Sequence, residues 1–295
     1  MKSLDLMRRL LQPAAPDLDV AGKVVLITGG ADGIGLETAR CLRARGALLV
    51  IVDRNETAAQ NAVALLGKQS ALAIAADVTD RAAMRAAIEQ TLAHFGRLDV
   101  VVANAGITPP PATIRTSNLD DFDRVIAVNL TGVLNTVHPA IEALIKQQGH
   151  IVVVASCAAF CPPVAGASYM ISKAAVEQLG RGLKLELAPH GVSVTVSYFG
   201  LVDTQLARTT LDNDPMGNDL NQQLPAPLRK RISAQHAGEV IANAIKKRAE
   251  HSMAPMAWES LSLLRGLVNP VLDRYLVGDP HIHDVLRELE ARKNI

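Results

Sequence analysis

Residues Lys23–Gly35 read KVVLITGGADGIG, an aliphatic run followed at once by glycines at 29, 33 and 35. Val, Leu and Ile in an unbroken row suit a strand buried on both faces. The next stretch, Leu36–Arg45, has helical period and stops near Gly46. A strand, a glycine-rich turn and a helix, in that order, leave backbone N–H groups free at the helix start, where they attract an anion such as a pyrophosphate. Taken alone the turn is weak evidence, because glycine-rich turns also simply join strands to helices.

The alternation continues along the chain. After KVVLIT come ALLVIVD (47–53), ALAIAAD (71–77), LDVVVANAG (98–106), HIVVVAS (150–156) and VSVTVSYFG (192–200), with helix-length stretches between them. Repeated βαβ units predict the α/β class: a doubly wound parallel sheet of Rossmann type, in three layers α/β/α. A further helix is expected from Ser233, and a last strand around Met253–Trp258. In this architecture ligands bind beyond the carboxyl ends of the strands, so motifs at those ends carry most weight.

The second strand ends in Asp53. A carboxylate there accepts hydrogen bonds from both ribose hydroxyls of an adenosine and repels a 2′-phosphate. Asp32, inside the glycine turn, adds a second negative charge, whereas the Arg54 guanidinium would favour that phosphate. The balance favours NAD, with NADP as the alternative. Gly29, Gly33, Ile34 and Gly35 are the candidate pyrophosphate contacts. Asp77 and Val78 follow the third strand, and Asn104, Ala105 and Gly106 close the fourth. Each is also ordinary turn chemistry, but all lie where such a cofactor must pass.

Tyr169 and Lys173 lie four residues apart in ASYMISKAAVEQLG (167–180), a helical stretch, and so share a helix face. Oxidising an alcohol requires removal of the hydroxyl proton as hydride leaves the carbon. A free tyrosine, with a pKa of about 10, is a poor base at neutral pH, and a cation one turn away lowers that value. Ser156, at the end of the fifth aliphatic run, adds a second hydrogen bond to a developing alkoxide. Singly, each has a plainer reading: a turn-capping serine, a solvated helix lysine and, for Asn129, a buried amide satisfied by backbone.

These residues together resemble the short-chain dehydrogenase/reductase family in its single-domain form. The resemblance rests on TGGADGIG, NAG, Asn129 in VNLTG, Ser156 and the YxxxK of Tyr169 and Lys173, over roughly Lys23 to Lys247. It implies a NAD(P)-dependent alcohol dehydrogenase or ketone reductase, usually a homodimer or homotetramer. By that resemblance Asp77 contacts the adenine and Asn104–Gly106 line the adenosine ribose. Asn129 holds a water and the active-site helix geometry, and Ser156 donates to the substrate oxygen. Tyr169 is the general acid/base, Lys173 binds the nicotinamide ribose, and Val202 and Thr204 contact the nicotinamide amide. The sequence departs from the family where Phe199 replaces the usual proline of a Pro–Gly step. It departs again where MAPMAWES and an apolar tail replace the usual C-terminal strand ending.

Composition bounds the remainder. With 49% hydrophobic and 20% charged residues the chain is globular, and a net charge of +1 provides no field for nucleic acid. Cys41, Cys157 and Cys161 read as apolar thiols, and no metal site is expected. The first residues show no long apolar run, so a cytoplasmic location is expected. Residues 1–20 read as an amphipathic extension, with Leu4, Met7, Leu10 and Leu11 at helical spacing. Residues 21–258 read as the NAD(P)-binding catalytic domain and 259–295 as a helical tail. In that tail Leu261, Leu264, Val268, Leu272, Tyr275 and Leu276 form a stripe interrupted near Pro270. Peripheral membrane contact by the two ends is the less favoured reading; packing is the commoner fate of such stripes. Thr204–Lys230 reads as a long loop. Apolar surroundings (CAAFCPPVAGAS, Leu201, Leu206) suggest a bulky lipophilic alcohol or ketone, such as a steroid, retinoid or lipid derivative. The competing readings are a non-catalytic NAD(H) sensor or scaffold and an epimerase on the same fold.

Overall fold

The computed structural model of the chain describes residues 16–162, 164–213 and 226–292. Among these, seven strands form one parallel sheet: β1 (Val24–Thr28), β2 (Leu48–Asp53), β3 (Ala71–Ala75), β4 (Val100–Ala103), β5 (His150–Val154), β6 (Ser193–Phe199) and, after two short strands, β9 (His251–Ala254). Their spatial order is β3-β2-β1-β4-β5-β6-β9. Every aliphatic run of the sequence supplies one strand. Residues of β1, β4 and β5 are buried throughout because helices cover both faces. Direction of winding reverses between β1 and β4, which pair Leu26 with Val101. That switch point opens a crevice at the carboxyl ends. Two short strands, β7 (Val202–Asp203) and β8 (Ile232–Ser233), pair separately beside it.

One face is covered by α1 (Gly33–Ala44), α2 (Glu56–Leu66) and α8 (Ala234–Lys247), whose Leu42, Ala62 and Ile241 bury against Ile27, Leu49 and Val102. The other carries α3 (Arg81–Phe95), α5 (Gly132–Val137) and α7 (Ala167–Leu187), with Met84, Val137 and Val176 against Leu26, Val101 and Val153. Polar caps set the helix starts: Asn55 accepts from Ala58 N–H, Asp80 from Ala82 and Ala83, and Ser233 from His236. Between β4 and β5 the chain forms α4 (Leu119–Ile126), a π-helical turn Ala127–Thr131, α5 and α6 (Ile141–Gln147).

Four expectations need correction. The last strand ends at Ala254, short of the expected Met253–Trp258 span. Pro255 has no N–H for a ladder bond, and the chain turns into α9 (Ala257–Gly278). Nor does Pro270 interrupt the tail: α9 runs through it. The carbonyl freed by the proline belongs to Gly266, an exposed residue, where solvent can take the place of the lost bond. The apolar stripe also divides. Leu261, Val268, Leu272 and Leu276 are half-buried, while Leu264 and Tyr275 face outward with Leu263, Leu267 and Val271. A second tail helix, α10 (Pro280–Ala291), follows. The expected helix around Leu4–Leu11 and residues 214–225 of the expected Thr204–Lys230 loop lie outside the described residues; the start of that loop is instead helical, over Gln205–Ala207 and Arg208–Asp212, with Thr204 as its cap. Within residues 16–20, Val20 is buried in the core and Leu18 N–H bonds the Lys246 carbonyl. Among the described residues no helix is long and apolar enough to cross a membrane.

Candidate active site

A cleft of about 470 Å³ opens at the carboxyl ends of β1, β4, β5 and β6. Its first wall is the glycine turn. Gly29 takes the left-handed conformation (φ +60°), and a Cβ there would stand 2.9 Å from the Cα of Ala105. A Cβ on Gly35 would stand 2.2 Å from the Gly29 carbonyl oxygen. Only hydrogen fits either place. Asn104 fastens this turn by donating to the carbonyls of Thr28 (3.0 Å) and Gly29 (3.1 Å). Gly29, Asp32, Gly33 and Ile34 line the cleft where α1 begins, with no acidic side chain in its first turn. The exposed Asp32 precedes α1 without capping it. These features suit the diphosphate of a dinucleotide: backbone brought close, side chains excluded, and a helix start aimed at the anion.

The second wall holds the residues expected to do chemistry. Ser156, just beyond β5, donates to the Phe199 carbonyl (3.2 Å), accepts from Ala158 N–H (3.1 Å) and lines the cleft with Tyr169. Tyr169 and Lys173 project from the first two turns of α7. Lys173 is buried; its ammonium donates to the Val154 carbonyl at 2.9 Å and stands 5.7 Å from the Tyr169 ring centre. Burial pushes the Tyr169 phenol up, the Ser156 hydroxyl opposes that, and the Cys157 thiol adds to it. Burial brings Lys173 down to about 8. The phenol is therefore raised, against the lowering by a neighbouring cation expected from the sequence; the opposing influence comes from Ser156, not Lys173.

Asn129 is fully buried in the π-helical turn. Its amide oxygen accepts from Ile107 N–H (2.8 Å), and its nitrogen donates to the Ile107 carbonyl (2.9 Å) and the Ser172 hydroxyl (3.1 Å). Those bonds tie the strand end after Gly106 to α7. Gly106 lies between them: a Cβ there would stand 3.4 Å from the Asn129 oxygen and 3.5 Å from the Lys173 nitrogen. The backbone partner Ile107 carries no signal in the sequence, whereas Ser172 is a small polar residue directly beside Lys173 on the same helix.

Six expected residues do not line this cleft: Gly35 and Asn129, which sit behind its walls, and Asp53, Arg54, Asp77 and Val78. Asp53 is half-buried at the end of β2 and accepts from Asn55 N–H (3.1 Å); Arg54 is exposed. The Asp77 carboxylate accepts from both the N–H and the hydroxyl of Thr79, each at 2.8 Å, and stays below the usual range chiefly through that N–H bond, with Arg54 and Arg124 adding to it. That is the turn chemistry given as its plainer reading. Val78 is buried in the core and offers its carbonyl to Asn135. Val202 and Thr204 do line the cleft, where Thr204 caps the turn Gln205–Ala207. Phe199 fills core and also fronts the cleft. Leu201, Leu206, Pro109, Pro111, Val164 and Met170 make the far end apolar. Cys157 is buried, and Cys41 and Cys161 keep partial exposure.

The fold and cleft are those of a dinucleotide-binding oxidoreductase, and comparison with known proteins defines the family. The short chain dehydrogenase family model matches residues 23–215, and the chain belongs to that family. It is 37% identical over 236 residues to the 3-hydroxyacyl-CoA dehydrogenase type-2 of Bos taurus, covering 76% of this chain and 89% of that one. It is 36% identical over 197 residues to momilactone A synthase of Oryza sativa subsp. japonica, covering 66% and 72%. Among solved structures, a 3-ketoacyl-(acyl-carrier-protein) reductase from Brucella melitensis complexed with NADH superposes with a TM-score of 0.70 at 29% identity. That match covers 80% of this chain and 97% of the other.

Proposed function

We propose that the protein is a NAD-dependent dehydrogenase or reductase that interconverts a bulky, lipophilic secondary alcohol and its ketone. The observation that carries the proposal is that Ser156, Tyr169 and Lys173 line one cleft, which runs from the glycine turn to an apolar end. A nicotinamide dinucleotide held along Gly29, Gly33, Ile34 and Asn104, with its adenosine toward Asp53, supplies the hydride acceptor or donor.

The chain's own residues handle the proton. In ketone reduction the Tyr169 phenol, protonated at neutral pH, gives its proton to the carbonyl oxygen while the Ser156 hydroxyl turns from the Phe199 carbonyl to donate a hydrogen bond to that oxygen. In alcohol oxidation Tyr169 takes the hydroxyl proton. Lys173, an ammonium below about pH 8, holds positive charge near the phenol and stabilises the phenolate. Its bond to Val154 and the Asn129 bonds to Ile107 and Ser172 keep α7 in register with β4 and β5. The Asp53 carboxylate supports NAD over NADP, with Arg54 as the opposing charge. Assembly as a homodimer or homotetramer, as the family resemblance implies, goes with this reading.

The test is a panel of secondary alcohols and ketones of graded size, assayed with NAD(H) and NADP(H). Turnover that grows with apolar bulk and prefers NAD supports the proposal. Activity confined to small polyols or sugars refutes the substrate class. NADH binding without turnover on any member favours the sensor reading.

A further inference from the structure

The tail helix α10 lies outside the family-model match, and its inner face does not reach into the cleft. It packs against the backs of two segments that do. Val285 and Leu289, each only 3% exposed, cluster with Val164 and Ala165, both of which line the apolar end. The neighbouring Glu290 carboxylate accepts from the Thr113 hydroxyl at 2.9 Å and pairs with Arg115 at 3.3 Å. Thr113 follows the other lining segment, which includes Pro109 and Pro111. A backbone bond from Ala112 N–H to the Ala165 carbonyl (3.2 Å) joins the two segments. Ala165 is a non-glycine residue at φ +56°, a conformation that persists only where surrounding contacts hold it.

We propose that α10 determines substrate specificity from outside the cleft, by bracing these two segments and so fixing the width of the apolar end. Leu289 and Glu290 are positioning residues: they touch neither substrate nor cofactor, and they act through Ala165 and Thr113. The bulkier the substrate, the more its binding depends on the brace. This inference rests on the reading of the apolar end as a substrate site.

Two measurements on full-length variants test it. Hydrogen exchange at Ala112 N–H needs no substrate. It is expected to speed up about tenfold or more in Leu289→Ala and Glu290→Ala, and to stay near the wild-type rate in Glu290→Gln, whose amide oxygen still accepts from Thr113. Unchanged exchange in both alanine variants overturns the bracing whatever the wild type turns over. In the steady state, the alanine variants are expected to raise KM about tenfold for the largest substrate of the panel. The kcat, the KM for the smallest substrate and NADH affinity are expected to hold, with Glu290→Gln near wild type. A lowered Tm with the KM values unchanged makes α10 a stabilising element only and overturns the proposal. A wild type that turns over no alcohol or ketone defeats the substrate reading instead, and the exchange result then stands alone.

Discussion

Lys173 donates to the carbonyl oxygen of Val154, the last residue of β5, at 2.9 Å, two residues before Ser156. This bond ties the catalytic candidates of helix and strand to one another. It also leaves a buried cation whose charge is disfavoured by lost hydration, which brings the ammonium to about 8.

A linkage effect follows from that burial. The unfolded lysine titrates at 10.5 and the folded one at about 8, so between these values the unfolded chain binds more protons and stability rises with pH. Below about 8 the penalty is complete, on the order of 3 kcal/mol. The stability difference between wild type and Lys173→Met is therefore expected to shift by about that amount in favour of wild type between pH 8 and 10.5. Urea unfolding at a series of pH values measures it; a constant difference contradicts the burial argument.

Tyr169→Phe removes the proton donor and keeps the ring. Turnover is expected to fall by about 10²–10⁴-fold, with NADH binding by fluorescence largely unchanged. Near-normal rates would remove Tyr169 from the mechanism.

Asp53→Ser removes the carboxylate that repels a 2′-phosphate and leaves Arg54 in place. The kcat/KM with NAD is expected to drop about tenfold while that with NADP rises. If wild type already prefers NADP, the assignment of NAD is wrong.

Gly35→Ala sets a methyl group 2.2 Å from the Gly29 carbonyl. Backbone cannot yield there cheaply, so a stability loss of about 2 kcal/mol or more is expected, together with weakened NADH binding. Thermal unfolding with and without NADH separates the two effects.

Arg265, on α9, forms a two-pronged ion pair with Glu177 of α7 at 2.6 and 2.9 Å and lies over the Phe160 ring. Arg265→Ala leaves the 5%-exposed Glu177 without a counter-charge. Because Arg265 is itself partly solvated, a cost of about 2 kcal/mol is expected. Adding Glu177→Gln is expected to recover most of it, measured by denaturation midpoints. No recovery would assign the loss to α9 packing.

How much of this was legible beforehand depended on the range of the interaction. The strands were readable because a parallel sheet covered on both faces demands unbroken aliphatic runs, and β1 to β6 supply them. The glycine turn and the Tyr169–Lys173 spacing were readable because their geometry is local. Contacts between distant segments left no such trace. Asn129 meets backbone at Ile107, which any residue offers, and Glu290 meets Thr113 across 177 positions. The course of α9 departs from the sequence pattern for a related reason: a proline signals a break by local rule, yet an exposed Gly266 carbonyl can bond water instead. Trp258, expected at the end of a strand, instead opens α9 with its indole against Gly200.

That last contact has a consequence for the order in which the molecule is made. Gly29, Asp53, Asn104 and the strands that carry them all lie in the N-terminal part of the chain and pair with one another, so a nascent polypeptide can assemble this half early. Gly200, by contrast, meets Trp258 only after β9 has been added at the sheet edge, and Ala165 waits for Leu289. Translation thus delivers the glycine-turn half first, and the apolar end acquires its final outline only when the last described helix has been synthesised.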